Sequence, residues 1–111
     1  MTEMEDMKMV KKISAQEFDE VKSAEIAVVD FFADWCGPCK MLSPVLESLS
    51  EDYEGRVSFF SINVDENQEI AMEYSVNNIP NLILLKKGEK ADQSVGFKPA
   101  EALKSWIDSN L

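Results

Sequence analysis

Three apolar stretches stand out along the chain, and each has the length and composition of a buried strand. Residues 26–32, Ile-Ala-Val-Val-Asp-Phe-Phe, are nearly continuous apolar chain rich in β-branched and aromatic side chains. That is the pattern of a strand covered on both faces. Residues 57–64 and 82–85 are further candidates of the same kind. A weak alternation at 9–13 predicts a short edge strand, and the turn signal Lys87-Gly88-Glu89 leads to a hairpin partner at 91–95. Between these stretches the period lengthens to that of a helix. Ser14-Ala-Gln-Glu17 matches a capping box, in which orphan N–H groups of the first turn are satisfied, and Phe18 and Val21 follow on one face. Leu42, Val45, Leu46, Leu49 and Tyr53 form the apolar stripe of a long helix. Pro44 falls inside that stripe, where it removes one backbone hydrogen bond and bends the helix, and Glu54-Gly55 ends it. Ile70, Ala71 and Tyr74 predict a short helix entered at Asn67, a good N-cap residue. Pro99 suits the first turn of a last helix whose Leu103, Trp106 and Ile107 face inward. The order β-α-β-α-β-α-β-β-α requires helices on both faces of a central sheet, an α/β class in three layers.

Length and charge narrow the function. The 111 residues match the common size of one domain. Asp+Glu number 21 against 11 Lys+Arg, a net charge of −10. A field of that sign repels phosphate backbones and anionic lipid, so neither nucleic acid nor a membrane surface is an expected partner. The acidic N-terminus lacks the basic and apolar regions of a secretory signal, and no stretch approaches the ~20 apolar residues of a membrane span. These features predict a cytoplasmic protein, a flexible tail at residues 1–7 and a single domain at 8–111, with a monomer as the default state. The histidine count of 0 excludes nucleophilic sites that use an imidazole base. With only Cys36 and Cys39 as thiols, the chain cannot assemble the four N/S ligands of a structural zinc site from cysteine and histidine alone.

The cysteines carry the chemistry. They stand three residues apart, at the junction of a buried strand and a helix, a spacing that brings both sulfurs to one opening. Uncovered N–H groups and the helix dipole favour an anion there, so the Cys36 thiol pKa is expected to be depressed. Cys36 then attacks a partner disulfide, and Cys39, one turn inward, displaces it and releases the reduced partner. Pro38 stiffens the first helical turn and Gly37 leaves the approach to Cys36 open. A metal half-site shared with a second chain and a pair of inert buried cysteines are the alternatives. The strand–CxxC–helix context favours a redox dithiol.

Trp35-Cys36-Gly37-Pro38-Cys39-Lys40 resembles the active-site sequence of the thioredoxin family. The likeness extends over the rest of the chain through an aspartate in the strand before the motif, an Ile-Pro before a later strand, a Lys-Gly hairpin turn and a Val-Gly after it. The resemblance implies a thioredoxin fold, a central mixed five-stranded sheet flanked by four helices. It also implies a thiol–disulfide oxidoreductase that reduces protein disulfides, needs no cofactor or metal beyond its cysteine pair, and is recharged by a thioredoxin reductase. No Gly-rich dinucleotide fingerprint is present, so nicotinamide and flavin belong to that partner.

Asp30 interrupts a run that should be fully buried, where a carboxylate is costly and its pKa rises. By resemblance it lies beneath Cys39 and assists its deprotonation through water. The family commonly has a lysine on the neighbouring strand where this chain has Ser61, and losing that cation would push Asp30 further up. By resemblance too, the Ile79–Pro80 bond is cis and faces the cysteines, and the Ile79 backbone pairs with an extended substrate segment, a form of strand addition. Trp35, Gly37, Pro38, Ile79, Val95 and Gly96 would form the contact surface around the thiol. Asn81 stands where a threonine is usual and Asn78 where a glycine is common, which predicts altered rim contacts. Two other functions compete: an oxidant or isomerase of disulfides on the same fold, and an interaction module whose dithiol is regulatory or idle.

Overall fold

In the computed structural model, which describes residues 9–111, five strands form one sheet: β1 (Val10–Ile13), β2 (Ile26–Phe32), β3 (Ser58–Asn63), β4 (Asn81–Lys86) and β5 (Glu89–Val95). The order across the sheet is β1-β3-β2-β4-β5. The first three run parallel to one another, and β4 is antiparallel to both β2 and β5. Four helices accompany them: α1 (Phe18–Ser23), α2 (Gly37–Asp52), α3 (Gln68–Glu73) and α4 (Ala100–Asp108). This is the three-layer arrangement that the element order predicts, with the mixed five-stranded sheet that the resemblance implies. The tail expected at residues 1–7 lies outside the described residues, as does Lys8.

The alternation of β2 divides the core. From Ala27 to Phe31 no residue is more than 4% exposed, so both faces are covered. Ala27, Val29 and Phe31 pack with Phe18, Val21, Ile70, Ile83 and Leu85 on the side of α1 and α3. Val28 packs with Leu42, Leu46, Leu84, Leu103 and Ile107 on the side of α2 and α4. Asp30, two residues beyond Val28, therefore points toward α2, because side chains on a strand repeat every second residue.

Local chemistry explains the joins. The Glu17 carboxylate accepts the Ser14 N–H at 2.9 Å, as a capping box requires, although the first turn, Ala15–Glu17, is a 3-10 turn. Pro44 sits inside α2, which continues to Asp52, and Tyr53 is fully buried with its hydroxyl donating to the Asp108 carboxylate. That bond ties the end of α2 to the end of α4. Asn67 precedes α3 as expected but does not cap it with its side chain. Its Oδ1 instead accepts the Ala15 N–H at 2.8 Å and its Nδ2 donates to the Asn63 carbonyl at 2.9 Å, fastening the β1–α1 connection to the end of β3. The hairpin between β4 and β5 turns on Lys87 (φ 51°) and Gly88 (φ 85°). Consecutive positive φ values match the right-handed twist of the flanking strands. A Cβ on Gly88 would also stand 3.1 Å from the Lys22 carbonyl.

Leu84 is fully buried between β2 and the α2/α4 layer. Leu84→Ala is expected to lower unfolding free energy by about 2–5 kcal/mol, transfer and cavity contributions together, measured by urea denaturation.

Candidate active site

The central strand β2 delivers the chain to one end of the sheet, and α2 starts at Gly37 after a short connection. Cys36 is the N-cap residue of α2, with extended backbone, and its Sγ accepts the Cys39 N–H at 3.2 Å. Pro38 occupies the first turn, where its missing N–H costs nothing. Cys36 and Cys39 are joined in a disulfide with their Cα atoms 5.2 Å apart. Both cysteines are 4% exposed and pack with Ala33, Phe32, Val64 and Ile79. A sulfur bearing negative charge at Cys36 would face the Cys39 N–H, which has no intrahelical acceptor, and the positive end of α2. The expected setting of the dithiol is thus realised. Gly37 is exposed, and a Cβ there would meet no atom within 4 Å; packing does not demand the glycine, which leaves the solvent side of Cys36 clear.

Behind the disulfide, a groove of about 700 Å³ is lined by Asp30, Phe32, Asp34, Cys39, Lys40, Glu47 and Ser61, among others. It joins the buried carboxylate to the inner cysteine. Asp30 is 4% exposed, and its Oδ1 has no hydrogen-bond partner among the described residues. Burial alone pushes its carboxyl up to about 7, since the charged form loses its hydration without a compensating partner. Register pairing sets Ser61 of β3 directly beside Asp30, and Lys12 of β1 beside Ser61. The hydroxyl thus occupies the adjacent position, while the Lys12 ammonium lies over the Phe32 ring, 5.7 Å from its centroid. Phe32 is half-buried at the end of β2.

The remaining residues fall around the same edge. Trp35 is 71% exposed, and its indole N–H donates to Asp65 Oδ2 at 2.8 Å. The sequence held no signal for Asp65, which comes from the loop after β3, thirty positions on. Ile79 packs against the cysteine cluster and precedes Pro80 through a cis bond. Neither backbone polar group of Ile79 has a partner among the described residues. The Pro80 carbonyl accepts the Gly96 N–H at 2.8 Å, which holds the Val95–Gly96 corner (Gly96 φ 88°) beside the proline. Val95 and Phe97 are exposed apolar residues on that corner; Phe97 was not among the predicted contacts. Asn81 departs from expectation. It is 1% exposed, so it belongs beneath the rim and makes no surface contact. Among the described residues no group of three or more His, Cys, Asp and Glu side chains is arranged to hold a metal ion, and no helix is long and apolar enough to cross a membrane.

This arrangement matches known proteins closely. The thioredoxin family model matches residues 9–109. Thioredoxins of Staphylococcus aureus strains COL and MW2 are each 44% identical over 102 residues, covering 92% of this chain and 98% of their own. A mutant thioredoxin from Halobacterium salinarum NRC-1, of solved structure, has a TM-score of 0.83 at 40% identity, with 89% of this chain and 88% of that chain covered. The chain belongs to the thioredoxin family. It is a disulfide oxidoreductase whose cysteine pair, at bonding distance, exchanges a dithiol for a disulfide. Members of the family use that pair without a cofactor and generally work with a thioredoxin reductase and disulfide substrates.

The carboxyl of Asp30 also sets a pH dependence of stability. Its folded value of about 7 lies above its ordinary value of 3.8, so between these the folded state holds the proton more tightly than the unfolded chain does. Stability is therefore lost as pH rises through that window, and the full penalty persists above it. Asp30→Ala is expected to be more stable than the parent by a few kcal/mol above about pH 7, the gain vanishing below about pH 4. Denaturation of the oxidised proteins across pH checks this; a gain that did not vary with pH would contradict it.

Proposed function

We propose that this protein reduces protein disulfides as a general thiol–disulfide carrier, with Cys36 as the nucleophile and Cys39 as the resolving thiol. The observation that carries the reading is the Cys36 sulfur at the start of α2, facing the Cys39 N–H, in front of a buried carboxyl that shares a groove with Cys39. In the reduced protein the Cys36 thiolate attacks one sulfur of a substrate disulfide. A bond forms from Cys36 to that sulfur, and the other substrate sulfur leaves as a thiolate. Cys39 then loses its proton through water to Asp30, whose raised pKa suits it to proton transfer near neutral pH. Its thiolate attacks Cys36, the mixed disulfide breaks, and the substrate leaves as a dithiol. The protein is left with the Cys36–Cys39 bond seen here.

Substrate binding falls to the edge around the sulfur. The unpartnered N–H and C=O of Ile79 suit pairing with an extended segment, next to Pro80, which offers no N–H. Trp35, Gly37, Pro38, Val95 and Gly96 supply a weakly apolar platform. The reading makes the protein a monomer of a reducing cytoplasm, recharged by a thioredoxin reductase that holds the nicotinamide and flavin. The net charge of −10 and the exposed Trp35, Gly37, Pro38 and Val95 around the buried sulfurs support a soluble protein partner over nucleic acid or membrane.

Reduction of insulin disulfides, followed by precipitation, tests the reading: the reduced protein should accelerate it well beyond free dithiothreitol, and no acceleration would refute it. Cys36→Ser is expected to abolish the activity. Cys39→Ser should accumulate a covalent mixed disulfide on Cys36, detectable on non-reducing gels. Asp30→Asn should slow resolution of that species by roughly 100-fold near neutral pH, the usual scale of a lost general base, with the first attack much less affected in stopped-flow measurements.

A further inference from the structure

We infer that a chain of oriented side-chain hydrogen bonds running from Lys90 through Gln93 and Asn81 to the Asn78 carbonyl positions the Ile79–Pro80 segment for substrate pairing. The inference rests on the substrate-binding role proposed for Ile79 and extends it to residues that never touch the substrate. Three bonds compose the chain. Lys90 Nζ donates to Gln93 Oε1 at 2.7 Å, Gln93 Nε2 donates to Asn81 Oδ1 at 2.9 Å, and Asn81 Nδ2 donates to the Asn78 carbonyl at 3.1 Å.

The direction of every bond is dictated by its ends. An ammonium only donates and a carbonyl only accepts. Gln93 must therefore turn its oxygen to Lys90 and its NH2 to Asn81, and Asn81 must turn its NH2 to the Asn78 carbonyl. Reversing either amide would set like atoms against each other at two contacts. The two amides thus have one satisfactory orientation, and each bond polarises the next.

Sheet geometry brings the three side chains together. Asn81 lies opposite Val95 and Ile83 opposite Gln93, so Asn81 and Gln93 are diagonal neighbours on one face. Lys90 is three residues from Gln93, and regular alternation would send it to the other face. A bulge intervenes: Leu84 pairs with Asp92 and Leu85 with Lys90, which leaves Ala91 without an opposite residue. The extra residue shifts the alternation and returns Lys90 to the face of Gln93. Asp92, next to Gln93 and so on the opposite face by ordinary alternation, bonds Trp106 and Asn110 near α4.

The consequence lies at Asn78 and Ile79. The Asn78 carbonyl is occupied by the Asn81 amide, while the next residue keeps both backbone groups unpartnered among the described residues. The Pro80 carbonyl is held from the other side by Gly96. Ile79 is therefore the residue of this segment left to pair with a strand, and it is ordered before the substrate arrives. Loss of the clamp would move that ordering cost into substrate binding.

The test compares insulin reduction by the parent, Asn81→Leu, Asn81→Thr and Lys90→Met. Asn81→Leu is expected to raise KM by about 3- to 10-fold, the scale of one or two lost hydrogen bonds, with kcat within about 2-fold. Alkylation of Cys36 by iodoacetamide, which needs no pairing with Ile79, should be unchanged. Asn81→Thr introduces a hydroxyl able to donate toward Asn78 and accept from Gln93, and should recover most of the affinity lost in Asn81→Leu. Lys90→Met, at the exposed end of the chain, should raise KM by about 2-fold and carries the test if Asn81→Leu does not fold. Unchanged KM in the folded variants, or a Thr variant as impaired as the Leu variant, would overturn the inference. Backbone relaxation of Asn78 and Ile79 by NMR separates this outcome from failure of the substrate reading. An inactive parent whose Ile79 loses order in Asn81→Leu would refute insulin reduction alone and keep the clamp. Unaltered order would refute the clamp.

Discussion

One sulfur atom held over the first turn of a helix is the arrangement on which the rest of this structure depends. Cys36 closes the N-terminus of α2 as a capping residue would, with the Cys39 N–H directed at its sulfur. An ordinary cap accepts with oxygen and stabilises the helix. Here a weaker acceptor takes the position, and its value lies in how the same donors and dipole favour a thiolate. For this to work, α2 must start where β2 ends. The three-layer packing enforces it, because β2 is covered on both faces and the apolar stripe of α2 has one place to go.

The second constraint is a carboxyl that the fold does not satisfy. Asp30 lies in the buried run of β2, with one oxygen lacking any partner among the described residues. A hydrophobic residue would pack there at lower cost. The neighbouring Ser61 supplies no charge, and Lys12, one strand further out, rests over Phe32. The site thus holds a poorly solvated acid beside the groove that reaches Cys39. Stability is sacrificed at the position of the proposed proton exchange with Cys39, as happens where the pKa of a buried group is matched to a chemical task.

Around the sulfur, polar order is built from beneath. The Trp35 indole is fixed by Asp65, the Gly96 N–H holds Pro80, and the amides of Asn81 and Gln93 reach the Asn78 carbonyl. The Trp35–Asp65, Gly96–Pro80 and Gln93–Asn81 contacts join residues at least twelve apart along the chain, whereas Asn81 reaches back only three residues to Asn78. The apolar platform is thus hydrogen-bonded on its underside, an arrangement in keeping with the proposed pairing of Ile79 with a substrate strand.

Much of this was legible in the linear chain. Continuous apolar runs, helical stripes and turn signals marked the strands and helices, because burial on one or both faces leaves a direct trace in residue type. The Cys36–Cys39 spacing, the isolated Asp30 and the Ile79-Pro80 step marked the chemistry, since each breaks a local rule that packing alone would keep. Other features were decided only when the strands came together. The partner of Trp35, the true task of Asn67 and the burial of Asn81 depend on residues brought into contact across the sheet or between loops. The bulge at Ala91 turned Lys90 to the face of Gln93 through a change of register. Hydrogen bonds between distant side chains leave no periodic imprint, because they depend on register and on the approach of loops; the apolar pattern specifies which face is buried, and three-dimensional pairing specifies who meets whom.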